Sequence, residues 1–169
     1  MEEKRNKLIE LVRKKVLDFN DRSRFYTTRN FRQHGDTSVY EHSISVAIKS
    51  IDIALKFNLD VDWNSLITGA LLHDYFLYDY HEKTVPRRKH GITHAKTALR
   101  NALEDFSLND IEQNIIRRHM FPVNPVPPKY IESWVVTVAD KIVAVEETLK
   151  TKAVARRIAD FGIIRQLGC

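Results

Sequence analysis

With 169 residues, 43% hydrophobic and 29% charged, the chain has the make-up of one globular domain spanning 1–169, able to bury a core without covalent staples. The single cysteine, Cys169, excludes a disulfide scaffold and a cysteine-built zinc module. No apolar run approaches the roughly 20 residues of a membrane span, and the first residues do not read as a signal peptide, so a cytoplasmic setting is expected. The net charge of +5, from 27 basic and 22 acidic residues, would suit anionic small molecules or nucleic acid and selects neither.

Glycines and prolines are few, five of each, and no segment alternates β-branched and polar residues. An all-α fold, a compact helical bundle, follows. Glu2 to Phe19 places Leu8, Leu11, Val12, Val16 and Phe19 on one helical stripe. A polar, arginine-rich stretch runs from Asn20 to Asp36. Ser38 and Glu41 then form a capping-box pattern, opening a helix that turns Ile44, Ala47, Ile48, Ile51, Ala54 and Leu55 inward and stops near Asn58. Asp62 can cap the next helix, with Leu66, Ala70 and His73 on one face. Residues 75–93 lose the periodicity and read as a loop with a basic run, from Lys83 through Arg87, Arg88, Lys89 and His90. Thr93 can cap a helix to about Phe106, and another runs from about Asn109 to His119. Four prolines between Met120 and Pro128 dictate an extended connector. A long helix from Tyr130 to about Lys150 follows, its stripe Trp134, Val135, Val138 and Ile142 expected in the core. A last amphipathic helix takes in Ala153 to Phe161 and ends at Gly162.

Three of these apolar segments carry residues that do not suit a plain core: His42, the pair His73-Asp74, and Asp140 in Val135-Val-Thr-Val-Ala-Asp140. A carboxylate among Val and Ala is costly to bury unless it is paired or bound to a cation. Histidine and carboxylate together suit borderline divalent ions such as Mn, Fe, Co, Ni or Zn. Adjacent His and Asp at a helix end let one coordinate while the other bridges or orients.

A histidine, then Ala-Leu-Leu-His-Asp, then Val-Ala-Asp, in that order on three apolar helices, resembles the HD-domain superfamily of metal-dependent phosphohydrolases. The likeness covers about residues 34–147. Branches with two metals add two histidines between the His-Asp pair and the last Asp. His94, followed by Ala98, and His119, closing the next helix, match them, with His90 a poorer fit. The implied ligand set is His42, His73, Asp74, His94, His119 and Asp140, holding one or two divalent ions (Mn, Fe, Co, Ni, Zn or Mg). By the same resemblance Asp74 bridges the ions, and it stands with His73 at the catalytic centre. The implied reaction is attack of metal-activated hydroxide on the phosphorus of a small phosphorylated molecule, a nucleotide or another phosphate ester or anhydride. The chain departs from the pattern of some branches. Leu77 stands where mononuclear nucleotidases carry a water-activating Glu, and Tyr75-Phe-Leu-Tyr78 replaces the Gly-Lys of cyclic-dinucleotide phosphodiesterases, whose Gly-Tyr-Pro motif is also missing. The pattern is nearest the small dinuclear branch that includes symmetrical dinucleoside tetraphosphate hydrolases, at motif level only.

His34, Arg88, His90 and Lys141 are candidate substrate contacts; His34 reads as well as a surface-loop histidine, Arg88 as part of a solvated basic face, His90 as a reserve metal ligand, and Lys141 as a partner of Asp74 or a solvated charge. Arg29 and Arg32 could grip phosphate bidentately on the same terms. The alternative to an enzyme is a non-catalytic module that keeps the fold to sense a nucleotide or metal. A third reading, nucleic-acid binding, has pI ≈ 9.3 in its favour but no helix-turn-helix spacing or aromatic-interleaved basic patch. A homodimer stays open, with the N-terminal helix and the C-terminal tail as the surfaces to look at.

Overall fold

The computed structural model describes residues 1–33, 37–78, 87–149, 157 and 161, with backbone alone for 87–92. Among them lie six α-helices and one 3-10 helix: α1 (Glu2–Arg22), the 3-10 helix (Arg24–Asn30), α2 (Val39–Lys56), α3 (Trp63–Leu72), α4 (Arg87–Asp105), α5 (Asp110–Arg118) and α6 (Ile131–Thr148). No strand occurs among the described residues. A single bridge joins Arg32 to Ser38.

Helix α2 is the axis of the bundle. It packs against α1, the 3-10 helix, α3 and α6, while α3 also meets α5 and α6. Its start is fixed by both halves of the capping box: Glu41 N–H donates to Ser38 Oγ (3.2 Å), and Ser38 N–H donates to Glu41 Oε2 (3.0 Å). Ile44, Ile48 and Ile51 are fully buried, each stabilising the fold by roughly 1.5–3 kcal/mol. Asp62 caps α3 through Ser65 N–H (2.6 Å). Asn109 and Glu112 make a second capping box at the start of α5. Phe19, Phe25, Tyr75 and Phe106 close the core with tilted and edge-on ring contacts.

Helices α3 and α5 approach unusually closely at Gly69, where an added Cβ would lie 2.4 Å from Ile115 Cδ1. Only glycine leaves room for that approach. The connector after α5 contains a cis Phe121–Pro122 bond.

Two expectations are corrected. Helix α4 begins at Arg87, six residues before Thr93, so part of the basic run is helical. Arg and Lys are good helix formers, and the preceding Pro86 is a residue suited to helix starts. On α6, Val135 is buried, but Trp134, Val138 and Ile142 are exposed. The helix is apolar all round, so periodicity alone could not say which stripe faces inward. The expected last helix lies outside the described residues except for Arg157 and Phe161. Phe161 is buried, and its carbonyl accepts from Arg13 Nε (2.9 Å). No helix of the described residues is long and apolar enough to cross a membrane.

Candidate metal centre

His42 sits in the first turn of α2, and His73 and His119 are the C-caps of α3 and α5. His94 lies on α4 and Asp140 midway along α6. The fold brings all of them to Asp74. His42, His73, Asp74 and Asp140 form one group, and Asp74, His94 and His119 form another. Within each group the potential ligand atoms lie within 4.8 Å of one another.

The two oxygens of Asp74 divide between the groups. Oδ2 lies 3.3 Å from His73 Nε2 and 3.8 Å from His42 Nε2. Oδ1 lies 3.3 Å from His94 Nε2 and 3.4 Å from His119 Nε2. Asp140 Oδ1 completes the first group, 3.1 Å from His42 Nε2 and 3.6 Å from His73 Nε2.

Orientation of the rings comes from local contacts. His73 Nδ1–H donates to Ala70 O (2.8 Å) and His119 Nδ1–H to Ile116 O (2.9 Å). Each bond commits Nδ1 as the donor and points Nε2 at the centre. His42 is set from farther away, by Nδ1–H donating to the buried Glu147 Oε2 (2.8 Å). This carboxylate–histidine pairing is typical of metal ligands.

Burial would pull the His42 imidazole down, but hydrogen bonds to Asp140 and Glu147 outweigh it and hold its pKa at about 9. The same contest, won by Asp74 and Asp140, raises His73 well above the usual range. Burial pushes the two carboxyls up, yet the surrounding histidines hold Asp74 and Asp140 well below ordinary carboxylates. For His119, burial dominates and lowers the pKa, favouring the neutral imidazole that binds metals.

The residues fit a divalent cation. His73 Nε2 and Asp74 Oδ1 are buried without a hydrogen-bond partner, a costly arrangement that a bound cation would relieve. His94 and His119 bring Nε2 atoms to 2.9 Å from each other. Imidazole nitrogens with buried carboxylates match Mn, Fe, Co, Ni or Zn in softness.

Two contributors escaped the sequence reading. Glu147 lies seven residues, two turns, after Asp140 on the same buried face, a spacing that could have revealed it. Gln33 is buried, and its Nε2 donates to Asp74 Oδ2. It is carried there by Gln33 N–H donating to Thr37 O (2.8 Å), Val39 N–H to Phe31 O (2.9 Å) and the Arg32–Ser38 bridge.

The expected substrate contacts fare differently. Lys141 turns to its own fold, Nζ donating to His119 O (3.0 Å) and Thr137 O (3.5 Å). Arg29 lies against the rings of both Tyr26 and Tyr40, 4.7 and 4.3 Å from their centroids. Its Nε and Nη2 have no hydrogen-bond partner. His34 lies outside the described residues, as do the side chains of Arg88 and His90. Leu77, three residues after Asp74, adopts a left-handed backbone (φ 51°), a strained conformation of the kind that gathers at functional sites.

A family model described as HD domain matches residues 39–145, and the chain belongs to the HD domain family. HD domains bind divalent metals and are in general metal-dependent hydrolases of the phosphohydrolase superfamily. No curated protein and no solved structure matches the chain.

Proposed function

We propose that this chain is a phosphohydrolase that acts on a small phosphorylated molecule, a nucleotide or another phosphate ester or anhydride, with two divalent ions per chain. The observation that carries this reading is Asp74, whose two oxygens face two separate ligand groups. His42, His73 and Asp140 would hold one ion with Asp74 Oδ2, and His94 and His119 the other with Oδ1. Such a pair supplies Lewis acidity and brings the pKa of bound water toward 7.

The chain's own residues then do the positioning. Glu147 and the carbonyls of Ala70 and Ile116 fix three imidazoles as lone-pair donors at Nε2. Gln33 steadies Asp74 by donating from Nε2 to its Oδ2. Arg29, seated against the rings of Tyr26 and Tyr40, carries a side-on Nε/Nη2 edge of the kind that pairs with a phosphate.

The test is metal content by mass spectrometry together with phosphatase activity as Mn, Fe, Co, Ni, Zn or Mg is restored. Near two ions per chain, with activity lost in Asp74→Ala, supports the reading. One ion reduces His94 and His119 to supporting roles. Full metal loading with no hydrolysis of any nucleotide or phosphate ester overturns it and favours the sensor.

A further inference from the structure

Helix α6 lacks a polar solvent face. Of the eight exposed residues between 131 and 149, six are apolar: Ile131, Trp134, Val138, Ile142, Val145 and Leu149. Their exposure runs from 36% at Ile142 to 69% at Leu149. The other two, Lys141 and Thr148, lie seven residues apart along one edge. By contrast, the solvent side of α1 is charged, with Leu17 its one exposed large apolar residue. A lone exposed leucine is ordinary, whereas a contiguous apolar stripe marks an interaction surface.

We infer that this stripe is a homodimer interface, in which α6 packs antiparallel against α6 of a second copy. The spacing is self-complementary about Asp140. Ile131 lies nine residues before it and Leu149 nine after; Val138 lies two before and Ile142 two after; Trp134 lies six before and Val145 five after. Turned about a two-fold axis beside residue 140, one helix sets Ile131 against Leu149, Val138 against Ile142, and the large Trp134 against the small Val145. Each contact occurs twice, as an isologous interface requires. A partner of unrelated sequence would have no reason to meet this symmetry.

The six side chains expose roughly 500 Å² per copy, so two copies bury about 1,000 Å², the lower limit of a specific interface. Phe121 rests edge-on against Trp134 at 5.4 Å, and the same connector exposes Val123 and Val126, which can widen the contact. Lys141 offers little charge to the seam, because its ammonium turns back to the carbonyls of His119 and Thr137. Of the described tail residues, Arg157 pairs with Glu146 on the flank of α6, and the Phe161 carbonyl accepts from Arg13 on α1. Asp140 points to the opposite side of α6 from the stripe, so the two metal centres would stand back to back. This inference does not depend on the phosphohydrolase reading.

Sedimentation velocity on the full 19.7 kDa chain tests it, over concentrations spanning a dissociation constant on the order of 10 µM. The wild type should pass from monomer to dimer. Val138→Glu, which places two carboxylates beside the axis, should weaken association at least tenfold with unchanged circular dichroism. Leu17→Glu on α1 should leave it unchanged. A monomer throughout the range, or a dimer insensitive to Val138→Glu, overturns the inference. Register is read by mixing Trp134→Cys chains with Val145→Cys chains, both carrying Cys169→Ser. Oxidation should give mainly the mixed disulfide dimer, and a preference for Val145→Cys chains linked to themselves would refute the antiparallel arrangement.

Discussion

The close approach of α3 and α5 offers the sharpest test of how packing makes the metal centre. In Gly69→Ala, the new methyl would lie 2.4 Å from Ile115 Cδ1 and 2.9 Å from Ile115 Cβ and Cγ2, against 3.4–4 Å for ordinary contact. The Cδ1 end can rotate away, but Ile115 Cβ is fixed to α5. The helices must therefore part by roughly 0.5–1 Å in a close-packed interior. Overpacking of this kind costs about 1–3 kcal/mol, offset by about 1 kcal/mol of helix propensity gained over glycine. A net loss of about 1 kcal/mol should lower Tm by about 2–4 °C in a domain of this size. The larger effect should fall on metal binding. Gly69 and Ile115 each lie one turn before a candidate ligand, His73 and His119, whose rings are 4.9 Å apart by centroid. Parting them should lower ion content per chain, measured by mass spectrometry after exhaustive dialysis. Ile115→Ala in the same chain removes the Cδ1 and Cγ2 contacts, so a double-mutant cycle should show favourable coupling of about 1 kcal/mol or more. Full stability, full metal content and zero coupling in Gly69→Ala would refute the reasoning.

Other perturbations probe separate links. Glu147→Gln should weaken metal binding by about 10–100-fold, since an amide orients the His42 ring less strongly than a carboxylate; chelator competition measures it, and unchanged affinity would dismiss the Glu147 contact. Ser38→Ala should cost about 1 kcal/mol in denaturant unfolding by breaking one half of the α2 capping box. Asp105 accepts from Tyr75 Oη (2.6 Å) and from Arg24 Nε (2.9 Å), and these contacts overcome burial to lower its pKa below 3.8. Because the folded pKa lies below the unfolded one, its stabilisation is present above about pH 4 and is lost as pH falls through the folded value. Asp105→Asn should therefore be less stable than wild type at pH 7 by about 1 kcal/mol, after allowance for the exposed Arg24. The gap should close on acidification, and a difference independent of pH would contradict the assignment.

The helices and four of the candidate ligands were legible because each announces itself locally. Ser38-Val-Tyr-Glu41 is a capping box in sequence and in space, and a carboxylate within Val-Ala-Asp140 needs a partner wherever the helix lies. His94 and His119 were legible through the family pattern, and the structure brings both to Asp74 Oδ1. What was not legible depends on tertiary placement. Gln33 sits in an arginine-rich stretch with no periodicity, and only the bridge between Arg32 and Ser38 carries it to Asp74. The inward stripe of α6 could not be chosen from a helix apolar on every side. Lys141, next to Asp140, reads equally as a phosphate contact, a partner of Asp74 or a solvated charge, because sequence alone does not fix where a long flexible side chain turns. Its ammonium donates to the His119 carbonyl.

Helices α3 and α5 both end at the centre, each capped by one of its histidines. The C-terminal end of a helix carries about half a negative charge. Two such ends converge on a centre that already contains the depressed carboxylates Asp74 and Asp140, balanced by the raised His42 and His73. Ions that bind there exchange with the protons on those histidines. Loading the chain with metal should therefore release protons, a quantity readable in weakly buffered solution.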